Sequence, residues 1–338
     1  MKQTRNAKSA RGAALAAALV LLPVLFILLS LFFGRYPMPW REVIAALLHR
    51  EDVSLAASTA VWQLRLPRAL AAAFVGASLA VSGAAFQSVF RNPLVNAGIL
   101  GVSNGAGFGA CLAIVCFGGG VAIYFSSFAF ALLAVVLSAF AGRISKVTTT
   151  ITLILGGTIV SAFFSALVTI MKYVADPYSQ LPSITFWLMG SFASINYSHL
   201  LAAIPMTIGM LAVVLSRWRL NVLSMGDKEA ATLGVDVRRC QFVVIGGATL
   251  CTAAAVCICG TIGWVGLVIP HIARMLFGNN NQTLVPASIS LGACFMVLMD
   301  LLARNLTGAE LPIGILCALV GTPFFVYLLK KTKGGAWA

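Results

Sequence analysis

The chain has 338 residues, 60% of them hydrophobic and only 9% charged. A soluble domain carries about 25% charged residues, so an ordinary soluble enzyme, a disordered tail and a coiled coil are excluded. The net charge of +14 forms no basic stripe with interleaved aromatics of the kind that binds nucleic acid. In a membrane protein, excess Lys and Arg mark cytoplasmic loops instead.

A membrane span needs about 20 apolar residues. Residues 12–34 supply the first, behind Lys2, Arg5, Lys8 and Arg11. This run is longer than the apolar core of a signal peptide, so an uncleaved span with a cytoplasmic N-terminus is expected. Residues 35–62 form the longest outer loop. In it Trp40, Val43, Ile44 and Leu47 follow helical spacing behind Pro37 and Pro39, which predicts a short amphipathic helix at the interface. Residues 69–90 give the second span. Residues 92–142 hold no charge and are long enough for two more, with Gly118-Gly119-Gly120 as the turn between them. Residues 147–171 give the fifth. A short apolar helix over 181–190 precedes a sixth span near 200–216. Gly260 and Gly263 divide residues 240–273 into a seventh and an eighth, and 284–303 and 311–329 are the ninth and tenth.

Ten spans put both termini on one side. With the N-terminus inside, the outer segments hold seven of the 23 cations, Arg35, Arg41, Arg50, Arg65, Arg68, Lys172 and Arg304, and the other 16 lie inside. The acids run the other way, three inside and six outside, which agrees with the positive-inside rule. The expected fold class is all-α: a polytopic membrane protein of about ten transmembrane helices with both termini cytoplasmic. It forms one transmembrane domain over residues 1–338, with cytoplasmic tails at 1–11 and 330–338 and a cytoplasmic segment at 217–239.

Four-residue spacing of small residues, at Gly76, Ala80 and Ala84 and again at Gly101, Gly105 and Gly109, lets helix backbones approach closely. Packing within one subunit is the expected use, ahead of lining a pathway. Seven cysteines, Cys111, Cys116, Cys251, Cys257, Cys259, Cys294 and Cys317, sit inside apolar runs and Cys240 at the edge of one; without a C-x-x-C pair they read as small buried packing residues.

The chain contains no G-x-x-x-x-G-K-[ST] loop for nucleotide. Its three histidines are scattered, with no metal-ligand spacing. No acid falls mid-span; Asp300 comes closest, near the outer end of the ninth, with Arg304 one turn on. An intramembrane enzyme needs a nucleophile with a base, or paired carboxylates, and an ion-coupled secondary transporter of a small solute keeps ionisable residues at depth. Both readings are weakened, and energy for transport should come from outside the chain. Within the charged segment Arg217 to Arg239, Asp227 to Gly234 reads as one short helix. Asp227 is its N-cap, Glu229 lies in the first turn and Gly234 takes the left-handed position past the C-terminus. Such a helix is either a feature for a partner to grip or a plain polar connector.

Eight segments carry a resemblance. They are Arg65-Leu-Pro-Arg68, Gly76-Ala-Ser-Leu-Ala-Val-Ser-Gly83, Arg91-Asn-Pro-Leu94, Leu100-Gly-Val-Ser-Asn-Gly105, Gly226-Asp-Lys-Glu-Ala-Ala-Thr-Leu-Gly234, the run from Gly263 to Arg274, Glu310-Leu-Pro-Ile-Gly314 and Gly321-Thr-Pro-Phe-Phe325. In this order, over roughly residues 63–329, the chain resembles the FecCD family, permeases of ABC importers for ferric siderophores, haem and cobalamin, with the type II importer fold. It departs from the family pattern at Asn96 and Ala97 and at Asn280-Asn281-Gln282. The resemblance implies a permease of the bacterial cytoplasmic (inner) membrane that is not itself an enzyme. It implies a second permease copy, two cytoplasmic ATPase subunits and an extracytoplasmic substrate-binding protein. The chain itself would bind no cofactor or metal, and ATP and magnesium would sit on the ATPases.

The resemblance also implies site residues. Coupling to the ATPase falls on Asn221, Gly226, Asp227, Glu229, Ala230, Ala231, Leu233 and Gly234. Docking of the binding protein falls on Arg65, Arg68 and Arg304. Two arginines opening a helix have the wrong sign for its dipole, which fits an outward-facing role; snorkelling toward head groups is the other reading. The translocation path and its gate fall on Thr149, Thr150, Leu153, Ser161 and Ser165, although Thr148 to Thr150 also suit a simple helix start.

Overall fold

A computed structural model describes residues 2–50, 53–143 and 150–331. Among them every regular element is helical. The first three helices are α1 (Lys2–Ser30), α2 (Trp40–Leu47) and α3 (Leu55–Thr59). Then come α4 (Leu66–Val89), α5 (Val102–Phe117), α6 (Val121–Arg143), α7 (Thr150–Val174), α8 (Gln180–Met189) and α9 (Ala203–Met225). The last five are α10 (Asp227–Thr232), α11 (Val237–Cys259), α12 (Val265–Phe277), α13 (Asn281–Asn305) and α14 (Ile313–Lys331).

Six helical stretches are long and apolar enough to cross a membrane: Leu55–Val89, Val121–Gly142, Thr152–Val174, Tyr197–Met225, Val237–Cys259 and Asn281–Asn305. Four shorter apolar helices, Ala14–Ser30, Val102–Phe117, Val265–Phe277 and Ile313–Tyr327, fall on the remaining expected stretches. The breaks at Gly118–Gly120 and after Cys259 lie where the glycines predict. The helices after them are not all full crossings, however: 13 residues in α12 rise only about 20 Å against a hydrocarbon core of about 30 Å.

The second stretch starts much earlier than its apolar pattern suggests. Ser54 caps α3, its hydroxyl accepting from the Ala57 amide at 3.2 Å. The helix then widens into a π turn at Ala60–Arg65, where Leu66 N–H reaches the carbonyl of Val61, and continues as α4. Pro67 explains the widening, because its ring has no N–H and crowds the carbonyl four residues back. Arg65 and Arg68 therefore lie inside a continuous helix, and the dipole argument for them lapses.

α4 is the central post. In its span 89% of the apolar window is buried, against 22% in α6 and in α7 and 17% in α9. α13, α11, α9 and α12 pack around it. Gly76 lies so close to Gly292 of α13 that a Cβ would collide with the Gly292 carbonyl. On the α11 side Ser82 donates to the carbonyl of Ala248 at 3.0 Å and shares a 2.8 Å bond with Thr252. α5, α6 and α7 form a second group that meets the first through α11. Gly105 and Gly109 bring α5 against α6 in the same way, while Gly101, at φ 76°, caps α5 instead. The small-residue spacing is thus packing.

α2 forms as predicted, but it buries Val43 and Ala46 and leaves Trp40 and Ile44 exposed. All eight cysteines are free. Cys240 is buried and Cys116 exposed, which reverses the expectation for Cys116.

Candidate functional site

At one end of the post, α9 runs on as far as Met225, so Arg217, Arg219 and Asn221 are helical rather than part of a loop. Gly226, at φ 133°, turns the chain in a conformation that side chains rarely adopt. It is also the residue that precedes α10, so Asp227 is in the first turn and not the N-cap. The Asp227 carboxylate instead accepts from Arg91 Nη2 at 3.1 Å, tying α10 to the turn after α4. Glu229 lies in the first turn and Gly234 has φ 78°, both as expected. Ala230 is fully buried, and its carbonyl accepts from Val235 at 3.1 Å. One face of α10 is thereby anchored. Ala231, Thr232 and Gly234 are exposed, and Leu233 is 57% exposed. Leu233 borders a cavity of about 510 Å³ with Trp218, Val235 and Val243. A short helix held on one side and presenting small and apolar groups on the other suits the grip of a partner.

Asn221 does something else. Its Nδ2 donates to Asn280 Oδ1 at 2.8 Å, and its Oδ1 accepts from the Asn281 amide at 2.7 Å. Asn281 Oδ1 accepts from Ser88 at 2.8 Å, and Asn280 caps α13 through the Gln282 amide. The Asn280-Asn281-Gln282 run thus fastens α13 to α9 and α4, and Asn221 is part of that fastening rather than of the exposed face. The sequence gives no sign of this pairing across 59 residues.

At the other end of the post the three arginines singled out by sequence come together, but they turn inward. Arg68 Nε donates to Asp300 at 2.8 Å, and its Nη1 to Glu310 at 2.9 Å. Arg304 Nε lies 3.5 Å from the other oxygen of Asp300, and its Nη2 donates to the Ser30 carbonyl at 3.1 Å. Arg65 donates to the carbonyls of Leu31 at 2.7 Å and Tyr36 at 2.6 Å. All three arginines are buried, and Asp300 is 1% exposed. Helix ends leave carbonyls without partners and carry partial negative charge, and here Arg65 and Arg304 satisfy those at the end of α1. The expected outward-facing set is, in this chain, an internal cluster that joins α1, α4, α13 and the segment before α14. Glu310 is a member to which sequence reasoning assigned no role; its signal was its place at the head of the Glu310-Leu-Pro-Ile-Gly314 segment.

α7 leaves a broad face uncovered. Thr158, Ala162, Ser165 and Thr169 form one exposed edge, and Ile159, Phe163, Ile170 and Val174 the other. A hydroxyl-bearing edge beside an apolar edge can border water on one side and an apolar partner on the other. Of the expected path residues, Ser165 lies on the hydroxyl edge. Ser161 is half-buried and accepts from Asn104 Nδ2 of α5 at 2.6 Å, and Leu153 packs against the core. α7 begins at Thr150, and Thr149 lies outside the described residues.

Residues 20–331 match the FecCD transport family. The chain belongs to that family. It is 43% identical over 324 residues to the molybdate import system permease protein MolB of Haemophilus influenzae, covering 94% of this chain and 95% of that protein. An iron chelatin transport system permease protein of Helicobacter pylori is 37% identical over 302 residues, covering 87% and 90%. Among solved structures, a metal-chelate type ABC transporter in an inward-facing conformation superposes with a TM-score of 0.85 at 41% identity, covering 94% of this chain and 99% of that one. The FecCD match spans the arginine cluster, the α7 face and α10.

Proposed function

We propose that this FecCD permease passes a metal-bearing cargo across the bacterial inner membrane, driven by ATP hydrolysis on two partner ATPase subunits. The cargo class is an iron complex such as a ferric siderophore or haem, or cobalamin; a relative named for molybdate adds a metal oxyanion to the candidates. The α10 end faces the cytoplasm, as the excess of cations on its segments supports. The single observation that carries the reading is α10 itself, anchored through Asp227 and Ala230 and open at Ala231 to Gly234. An ATPase that grips the open face moves α9 and α11 with it. Two permease copies meet along the apolar edge of α7, and the hydroxyl edge borders the path. A substrate-binding protein delivers the cargo at the arginine end. There the buried cluster holds the docking surface in shape, while the direct contacts come from exposed neighbours.

The experiment is uptake by the permease co-expressed with its ATPase and binding protein. Labelled ferric siderophore, haem, cobalamin and molybdate are compared under ATP depletion and under an uncoupler. Uptake of one of them that stops with ATP depletion and survives the uncoupler is the expected result. In the same assay Ala231→Pro, which breaks α10, should leave the permease folded and ATP hydrolysis running while uptake is lost. Uptake that follows the proton gradient, or a well-expressed Ala231→Pro variant that transports normally, contradicts the proposal.

A further inference from the structure

Toward the α10 end, where Asn221 ties α9 to α13, α1 leaves an opening beside those two helices. Between them runs a groove of about 620 Å³, within the ~300–1,000 Å³ range of ligand-sized pockets. Its walls are Leu15, Leu19 and Val20 of α1, Val214 of α9, and Pro286 and Ile289 of α13. Two prolines shape it, Pro23 inside α1 and Pro286 inside α13. Each removes a helical N–H and crowds the carbonyl of the preceding turn, and both rings line the groove. The groove is mainly apolar along its length; its one charged group, Arg217, stands with Gln282 and Thr283 at one end, and the Ser290 hydroxyl is the polar group at the other. From Gln282 to Ile289 it extends about 10 Å along α13 at 1.5 Å per residue.

The charge at its mouth decides what fits. Arg217 is exposed, and no carboxylate pairs with it among the described residues. It stands at the start of a segment that also carries Arg219, Lys228, Arg238 and Arg239. The positive end of the α13 dipole adds the same sign, although its first amides are already taken by Asn280 and Asn221. An apolar slot with a cationic mouth matches an acyl chain with an anionic head group, and basic recesses between helices at the cytoplasmic leaflet recognise such lipids. We propose that this groove is a binding site for one anionic phospholipid of the cytoplasmic leaflet. Its acyl chain would lie between Pro23 and Pro286, with its phosphate at Arg217. The inference rests on the orientation proposed above and is independent of the cargo.

The test is native mass spectrometry of the detergent-purified permease after equilibration with dioleoyl phosphatidylglycerol or dioleoyl phosphatidylcholine. One retained phosphatidylglycerol per chain, favoured over phosphatidylcholine by about fivefold or more, is expected from roughly one charge near the surface. Arg217→Gln should reduce that preference to about one. Ala16→Trp, which fills the groove from α1, should lose the tightly held lipid altogether. Arg217 is exposed, so Arg217→Gln should unfold at the wild-type temperature in phosphatidylcholine and carries the test even if Ala16→Trp does not fold. Equal retention of the two lipids by the wild type overturns the proposal. So does an unchanged preference in Arg217→Gln, undiminished retention in a folded Ala16→Trp, or a dimer that forms through this face in place of lipid. Uptake assays report on the cargo separately, so a failure here leaves the transport reading standing.

Discussion

Two arginine–carboxylate contacts of similar length hold opposite ends of α4. At one end Arg68 meets Asp300 at 2.8 Å with side chains 11% and 1% exposed; at the other Arg91 meets Asp227 at 3.1 Å with side chains 37% and 48% exposed. The distances nearly agree and the surroundings do not. A buried pair that loses one member leaves an uncompensated charge and costs about 3–5 kcal/mol. An exposed pair is worth about 0–1 kcal/mol and weakens with salt. The Arg68 end is therefore a lock, joined to Glu310, Arg304 and the end of α1. The Arg91 end is a latch, an exposed pair that ties α10 to the turn after α4 and is weak enough to open. On the function proposed above, energy enters at the latched end and cargo at the locked one.

The comparison breaks most visibly at Asp300. Asp300→Asn keeps the shape but leaves Arg68 and Arg304 with too little negative charge, and should destabilise the detergent-solubilised permease by about 3–5 kcal/mol, read from thermal unfolding. Combining Arg68→Met with Asp300→Leu should recover only part of the loss: Arg68 is no longer a buried charge facing a missing carboxylate, while Arg304 and Glu310 each lose a partner. Arg65→Met comes next. It strips donors from the carbonyls of Leu31 and Tyr36 and should cost about 1–3 kcal/mol, with α1 loosening first in proteolysis or hydrogen exchange. A role confined to docking would leave both readouts unchanged. Asn221→Ala tests the fastening at the α10 end. It frees Asn280 and the Asn281 amide and should cost about 1 kcal/mol, with exchange rising at the start of α13 rather than in α10.

Much of this was legible in the sequence, for identifiable reasons. Charge-free runs mark where apolar helices lie because an unpaired charge in lipid is costly, and the Gly118 to Gly120 turn and the break after Cys259 follow from backbone chemistry that is local. α10 was legible down to Gly234 because its end signal sits within eight residues. What was not legible is long-range or subtle. The partner of Arg68 lies 232 residues away, so two arginines on an apolar background read as outward-facing. The π turn ahead of Pro67 hid the true start of the second helix, because the polar residues over 58–65 break the apolar pattern while the backbone stays helical. Ser161 was placed on the path by resemblance, and its bond to Asn104 of α5, 57 residues away, is a pairing that no local pattern shows. Asp227 was expected to cap a helix, but Gly226 stands in that position and Arg91, from a different turn, takes the carboxylate.

The central claim is that one end is locked and the other latched. Its most direct test is a pair of double-mutant cycles on unfolding in one detergent at low salt: Arg68→Met with Asp300→Leu, and Arg91→Met with Asp227→Leu. The account predicts a coupling energy of several kcal/mol at Arg68–Asp300, insensitive to added salt, and below about 1 kcal/mol at Arg91–Asp227, vanishing as salt rises. Equal coupling energies, or a larger and salt-resistant one at Arg91–Asp227, would contradict it.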